Sequence, residues 1–248
     1  PEKKIMFEPW KRLSYKEAML RYGTDRPDLR FGLEIKDLTE KVAGCGFQVF
    51  SDAVNKGGVV RAICATGAGG FSRAEIDELT EYAQQFGAKG LAYIIVEEDN
   101  LRSPITKFLG EDLAWDIVRE MEARPGDIIF FGADQEETVC EVLANLRNRL
   151  GDKLDLKDPD TLAISFIVDF PLFEGKDEEG YFAPSHHMFT APVEEDLELL
   201  DTEPEKAKCH QYDMVVNGVE AAGGSLRIHR RDIQEKIFQL IGFDEKKK

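Results

Sequence analysis

A mixed chain of helices and strands in more than one part is what the sequence predicts, and three observations carry that reading. Apolar runs of strand length, "VVRAICA", "LAYIIV" and "DIIFFGA", alternate with amphipathic helical stretches between about Leu33 and Pro159. After the polar connector "GDKLDLKDPDT" the texture changes to extended segments beginning "LAISFIVDFPLFEG", which marks a domain boundary. In "YDMVVNGVEAAGG", Asn217-Gly218 sits between apolar alternations, the strongest short hairpin signal, because a type I′ turn needs positive φ at both residues. Alternating strands and helices, taken alone, suggest a parallel sheet.

The elements follow in order. "SYKEAMLRY" reads as a short helix in which Ser14 and Glu17 have the spacing of a capping box. "GTDRPDLRFG", crowded with Asp25, Arg26, Asp28 and Arg30, reads as a solvated turn. In "SRAEIDELTEYAQQFG", Ser72 and Glu75 make a second capping box, Ile76, Leu79, Ala83 and Phe86 share a face, and Gly87 stops the helix. "SPITKFLGEDLAWDIVREMEA" is expected to start at a Ser103 cap, with Pro104 at the first helical position, and to break near Gly110. "DQEETVCEVLANLRNRLG" turns Val139, Val142, Leu143, Leu146 and Leu150 inward and is expected to end at Gly151. The last helix, "DIQEKIFQLIG", offers Asp232 and Glu235 as a capping box, Ile233, Ile237, Leu240 and Ile241 as its inner face and Gly242 as its stop, before a lysine-rich tail.

Composition narrows the function classes. The formal charge of −16 disfavours independent binding to phosphate backbones, which draws on Lys and Arg displacing counterions. No apolar run approaches the roughly 20 residues of a membrane span. "PEKKIMFEPW" lacks the apolar core of a secretory signal, and the expectation is a cytoplasmic chain that is a fragment or a processed product. Cys45, Cys64, Cys140 and Cys209 lie far apart without zinc spacing and read as ordinary thiols.

Three stretches are candidates for chemistry. "ATGAGGFSRAE" lies between a strand and a helix, where amides could hold an anion, but it has no GK[ST] and puts Ser72 where a third Gly would fall. It reads as a plain turn. "PSHHMFTAP" places His186 and His187 in a loop, a weak zinc signal and an equally good substrate contact. In the hairpin, a two-residue turn at Asn217-Gly218 puts Val215 opposite Glu220 and Asp213 opposite Ala222, so Asp213 and Glu220 share a face as diagonal neighbours about 7 Å apart. Two such acids repel unless a cation lies between them, and magnesium carrying a nucleotide phosphate suits one or two carboxylates. Ala221, Ala222, Gly223 and Gly224 would let a ligand lie against the backbone, and Arg227 presents a planar fork for a carboxylate. The plainer alternative is a glycine-weakened hairpin with a surface salt bridge.

These residues bring a resemblance with them. "YDMVVNGVEAAGGSLRIH" resembles the signature strand pair of bacterial-type aspartyl-tRNA synthetases, of class II. "YKEAMLRYGTDRPDLRFG", "VDFPLFE" and "HHMFTAP" resemble other pieces of that family's catalytic core, in the same order. "FSRAEIDELTEYAQQFGAKGLAYIIVEEDNLRSPITKFLG" is similar to its insertion domain, the GAD domain shared with a subunit of the tRNA-dependent amidotransferases.

The resemblance implies an α+β fold: a two-layer insertion domain of antiparallel sheet and helices at about 34–158, between catalytic-domain segments 1–33 and 159–248. That catalytic domain would be an incomplete class II antiparallel sheet. The implied activity converts L-aspartate and ATP, with Mg2+, to aspartyl-adenylate and passes the aspartate to tRNA(Asp), by electrostatic rather than covalent catalysis. Carried over by position, Asp213 and Glu220 are the magnesium and ATP acids, Arg227 and His186 bind aspartate, and Gly223, Gly224 and Ser225 floor the pocket. Met188, where the family usually has Pro, and Ala222, where it usually has a glycine, depart from the pattern. The family's anticodon-binding barrel, its dimer-forming motif, motif 2 and motif 3 find no match here, so the fragment alone is expected to be inactive and the homodimer to belong to the parent. The alternative is a non-catalytic GAD-type module that binds tRNA or a protein.

Overall fold

A computed structural model describes residues 3–243, and the lysine-rich tail, 244–248, lies outside the described residues. By packing, the chain divides into two units, one containing Met19–Thr161 and the other containing Lys4–Ala18 with the chain from Leu162 onward. The division falls within the helix Tyr15–Tyr22, whose start is capped as expected by Ser14 Oγ accepting the Glu17 N–H at 3.1 Å.

The first unit is built on a five-stranded sheet. Across it run Ile35–Asp37, Val59–Ala65, Ile128–Asp134, Ala92–Val96 and Leu101–Arg102, with every neighbouring pair antiparallel. The three apolar runs are the three middle strands, but the parallel arrangement that alternation suggests is not formed. A continuous apolar run marks a strand covered on both faces, and coverage does not set direction. Ile63, Ala65, Ile95, Ile128 and Phe130 face Ile76, Leu79 and Ala83 of the helix Arg73–Gln84 and Val139, Leu143, Leu146 and Leu150 of the helix Glu136–Lys153. The alternate residues Val60, Ala62, Ile94, Val96, Ile129 and Phe131 face Val42, Phe50, Leu109, Ala114, Ile117 and Val118. The antiparallel expectation therefore holds, while the two layers become three, because the short helices Thr39–Val42, Gln48–Asn55 and Thr106–Leu109 join Glu111–Glu120 over the second face.

Local expectations met mixed fates. The Ser72–Glu75 capping box forms in both directions, at 3.3 Å and 2.9 Å. Ser103 does not cap a helix at Pro104: its hydroxyl donates to the Tyr93 carbonyl at 2.6 Å and accepts the Ile105 N–H at 3.1 Å, which delays the helix to Thr106–Leu109. The break at Gly110, with φ 84°, is as expected. Gly151 does not end the helix Glu136–Lys153 but lies inside it, where a Cβ would stand 2.7 Å from Cζ of Phe31. It is a packing glycine. The glycine-rich turn is tied down by protein rather than open to an anion: the Gly67 N–H reaches Asp127 Oδ1 at 2.8 Å and the Gly69 N–H the Gly126 carbonyl at 2.8 Å.

Nor is "GTDRPDLRFG" a free turn. Arg147, 1% exposed, sends one guanidinium nitrogen to the carbonyls of Asp28, Phe31 and Gly32 at 2.8, 2.9 and 2.9 Å. Its cation also lies 4.1 Å from the Phe31 ring centre and 4.9 Å from that of Tyr22. Burial pushes the Arg147 pKa down to about 10, so the group stays charged at neutral pH.

The second unit holds a four-stranded sheet in the order Val219–Ser225, Lys208–Val216, Ile164–Pro171, Lys11–Ser14. It is antiparallel except for the pairing of Lys11–Ser14 with its neighbour. The capping box expected from Asp232 and Glu235 does not form, because Arg230 takes the Asp232 carboxylate and Arg231 takes Glu235. Of the four residues expected on the inner face of Arg231–Leu240 and just beyond, Ile237 is the one fully buried.

Candidate functional site

The hairpin turns where expected, with Asn217 at φ 52° and Gly218 at φ 82°. Asn217 also ties the turn to the next strand: its Oδ1 accepts the Ala163 N–H at 2.8 Å and its N–H donates to the Ala163 carbonyl at 3.2 Å. Val215 pairs with Glu220 as expected, but the register then shifts, so that Met214 faces Ala222 and Asp213 faces Gly223. A bulge at Ala221 moves the partner of Asp213 along by one residue.

That shift sets the geometry of the two acids. A Cβ on Gly223 would stand 2.6 Å from Asp213 Oδ1 and 3.2 Å from Glu220 Oε1. The carboxylates therefore face one another across the space that a side chain at 223 would fill. Asp213, 5% exposed, lies on the inner side of its strand with Gln211, whose Nε2–H donates to Asp213 Oδ1 at 2.9 Å; Glu220 is exposed. An inner acid held by Gln211 and an outer one without a side-chain partner among the described residues could hold magnesium, since that ion takes one or two carboxylates and completes its shell with water and phosphate. Among the described residues no three His, Cys, Asp or Glu side chains gather as a closed metal cage.

The floor follows. Tyr212 lies over Gly224, where a Cβ would meet its hydroxyl oxygen at 2.6 Å. Ser225 Oγ is buried without a hydrogen-bond partner among the described residues.

Arg227 and the histidine loop come together through backbone first. Arg227 bridges Thr190, the Ile228 N–H reaches the Phe189 carbonyl at 2.9 Å, and the Ala191 N–H reaches the Leu226 carbonyl at 2.9 Å. Arg227 is exposed, and its Nη1 lies 3.0 Å from Nδ1 of His187. His186 is exposed and stands edge-on to the Phe170 ring, 5.0 Å between centres. The histidine that touches Arg227 is thus the second of the pair, which sequence spacing did not single out. Met188 is held by its carbonyl, which accepts from Gln234 Nε2 at 3.0 Å, so a methionine is accommodated there without a ring to fix the backbone.

Comparison with known proteins adds a likeness in sequence. Residues 50–143 match the GAD domain. The chain is 52% identical over 95% of its length to an aspartate–tRNA(Asp/Asn) ligase of Moorella thermoacetica, covering 39% of that protein. It is 50% identical over 98% of its length to one of Rubrobacter xylanophilus and over 96% to one of Bacillus mycoides, covering 41% and 40% of them. The chain thus spans about two-fifths of the length of these relatives. Along nearly all of its own residues the chain is similar to aspartate–tRNA(Asp/Asn) ligases, and its residues 50–143 match the GAD domain.

Proposed function

We propose that this chain supplies the aspartate-binding and magnesium-ATP-binding part of an amino-acid activation site, in a cytoplasmic enzyme that acts on L-aspartate, ATP and tRNA(Asp). The observation that carries the reading is the convergence of Asp213 and Glu220 on the space left by Gly223, on the strand that leads to Arg227. In sequence terms the insertion domain is read as 34–158 and the catalytic segments as 1–33 and 159–248, with 19–33 folded against Arg147 as a strap.

The chemistry follows from charge. The guanidinium of Arg227 would pair with the side-chain carboxylate of aspartate, with His186 contacting the same substrate from its place against Phe170, leaving the α-carboxylate free to attack the α-phosphorus of ATP as the bond to pyrophosphate breaks. Asp213 and Glu220 would hold a magnesium ion, which when bound neutralises charge on the phosphates. Gly223, Gly224 and Ser225 would floor the pocket, with the nucleotide reaching Gly224 only if the Tyr212 ring that lies over it moves aside. No protein nucleophile is needed, because fixed charges stabilise the developing charge. Asparagine in place of aspartate would leave Arg227 facing a neutral amide, the kind of unpaired group that separates close substrates.

A second reading, an accessory module that binds tRNA or a protein, draws support from the first unit closing its own core on both sheet faces. It leaves Asp213, Glu220 and Arg227 without a task. Thermal unfolding separates the two. A ligand at a hundredfold excess over its Kd stabilises by about 2.7 kcal/mol, so L-aspartate or magnesium-ATP should raise the melting temperature of the second unit. An unmoved melting temperature with both would favour the accessory module.

A further inference from the structure

We infer that His187 is a positioning residue for Arg227: through an unprotonated Nδ1 it anchors one nitrogen of the guanidinium and aims the rest of the fork at the substrate carboxylate. The inference rests on the reading of Arg227 as the aspartate-binding group.

His187 opens a tight turn in which its carbonyl accepts the Thr190 N–H at 3.2 Å. Its ring folds back over that turn, and Nδ1 accepts the Phe189 N–H at 3.1 Å. A backbone N–H can only donate, so Nδ1 carries no proton and the ring proton of the neutral imidazole sits on Nε2. The same Nδ1 lies 3.0 Å from Arg227 Nη1, which also can only donate. Two N–H donors, one from the loop and one from the strand end, therefore share one acceptor, with the Thr190 hydroxyl a longer 3.4 Å away. The Thr190–Arg227 bridge keeps loop and strand in register, so the ring cannot follow the guanidinium elsewhere.

The groups facing His187 agree with a neutral ring. Burial lowers its pKa, and the positive charge of Arg227 and the neighbouring His186 lower it further. With Nη1 anchored, the Nε and Nη2 edge is the face left to grip a carboxylate in two parallel bonds, the geometry that distinguishes arginine from lysine. His186, edge-on to Phe170, makes no such bond to Arg227 among the described residues.

Asparagine at 187 places Oδ1 where Nδ1 stands and can accept both bonds, whereas leucine fills the space and accepts neither. Calorimetric binding of L-aspartate and, separately, of magnesium-ATP to the wild type, His187→Leu, His187→Asn and Arg227→Lys is the test. His187→Leu should weaken aspartate about tenfold or more, as loss of a hydrogen bond to a charged group does, with magnesium-ATP unmoved. His187→Asn should restore aspartate affinity to within about threefold of wild type, the spread left by imperfect bond geometry. Nitrogen NMR of the wild-type ring should show Nδ1 bare and Nε2 protonated. A protonated Nδ1, or His187→Asn as weak as His187→Leu, would overturn the inference. If Arg227→Lys weakens aspartate and His187→Leu does not, the inference alone falls; if the wild type binds no aspartate, the functional reading falls and takes it along.

Discussion

In the sheet of the first unit the adjacent residues Phe130 and Phe131 point to opposite faces, and both are sealed, at 0% and 2% exposure. In the sheet of the second unit the strand Val219–Ser225 is exposed over its first five residues, and two of its seven residues are glycine. The first unit spends its apolar surface on burial, and its most buried guanidinium, Arg147, is consumed in holding a loop. The second leaves backbone bare and acids facing each other, an arrangement that is poor for stability and good for a charged ligand. On the proposed reading, stability and ligand binding are carried by different regions of one chain, and a substitution should disturb one without the other.

The largest expected effect lies in the first unit. Arg147→Leu would strip three carbonyls of their donor inside a closed core, and buried acceptors left unpaired cost about 3 to 5 kcal/mol together. Denaturant unfolding should show the first unit's transition move to much lower denaturant while aspartate binding by the second persists. Simultaneous loss of both would mean that the two regions are not separable.

A smaller effect tests one helix end. Ser72→Ala removes the cap of Arg73–Gln84 and should lower stability by about 1 kcal/mol in the same unfolding experiment. The same box has a pH signature. Hydrogen bonds from the Ser72 backbone, then Lys153 and the Ser72 hydroxyl, hold the Glu75 pKa down at about 2. A depressed carboxylate stabilises the fold above its unfolded pKa and loses that contribution as pH falls toward 2, so acid titration should cost the wild type slightly more stability than Ser72→Ala, which keeps the backbone and Lys153 bonds and loses the hydroxyl's.

The smallest expected effect on stability is Gly223→Ala. Its new Cβ would meet Asp213 Oδ1, the movable end of a side chain, on an exposed edge strand, so stability should stay within about 0.5 kcal/mol. The displaced carboxylate should nonetheless weaken magnesium-ATP binding. A variant that binds normally would show that the two acids need not face each other as they do.

Much of this division is visible in the sequence, for reasons that can be named residue by residue. "VVRAICA" and "DIIFFGA" read as strands because only strands covered on both faces tolerate such runs, and they are Val59–Ala65 and Ile128–Asp134. Their direction was not legible, since direction depends on connections rather than on apolar content. Asn217-Gly218 marked the hairpin, but the bulge at Ala221 lies in a run of small residues with no side-chain signal to set register. Gly151 looked like a helix stop because its partner, Phe31, lies 120 positions away in the chain and contacts of that range leave no local mark. Asp232 and Glu235 have capping spacing, yet Arg230 and Arg231 take their carboxylates as charge-assisted pairs. The resemblance points to His186, and the link between His187 and Arg227 is not legible in the sequence, because the acceptor role of Nδ1 exists only once Phe189 and Arg227 are in place.

The central claim is that the hairpin holds two ligands by two separate sets of charges, and a pair of variants tests it most directly. In a full-length synthetase carrying this sequence, aspartate-dependent pyrophosphate exchange would be measured for Arg227→Lys and Glu220→Gln over ranges of both substrates. Lysine keeps the charge but loses the planar fork, so Arg227→Lys should lower kcat/KM for aspartate by about 30- to 1000-fold, equivalent to roughly 2 to 4 kcal/mol, with the KM for magnesium-ATP nearly unchanged. Glu220→Gln should do the converse, weakening magnesium-ATP more than aspartate. If Arg227→Lys altered ATP binding alone, or neither substrate, the hairpin would be a structural feature and the assignment of Arg227 would be contradicted.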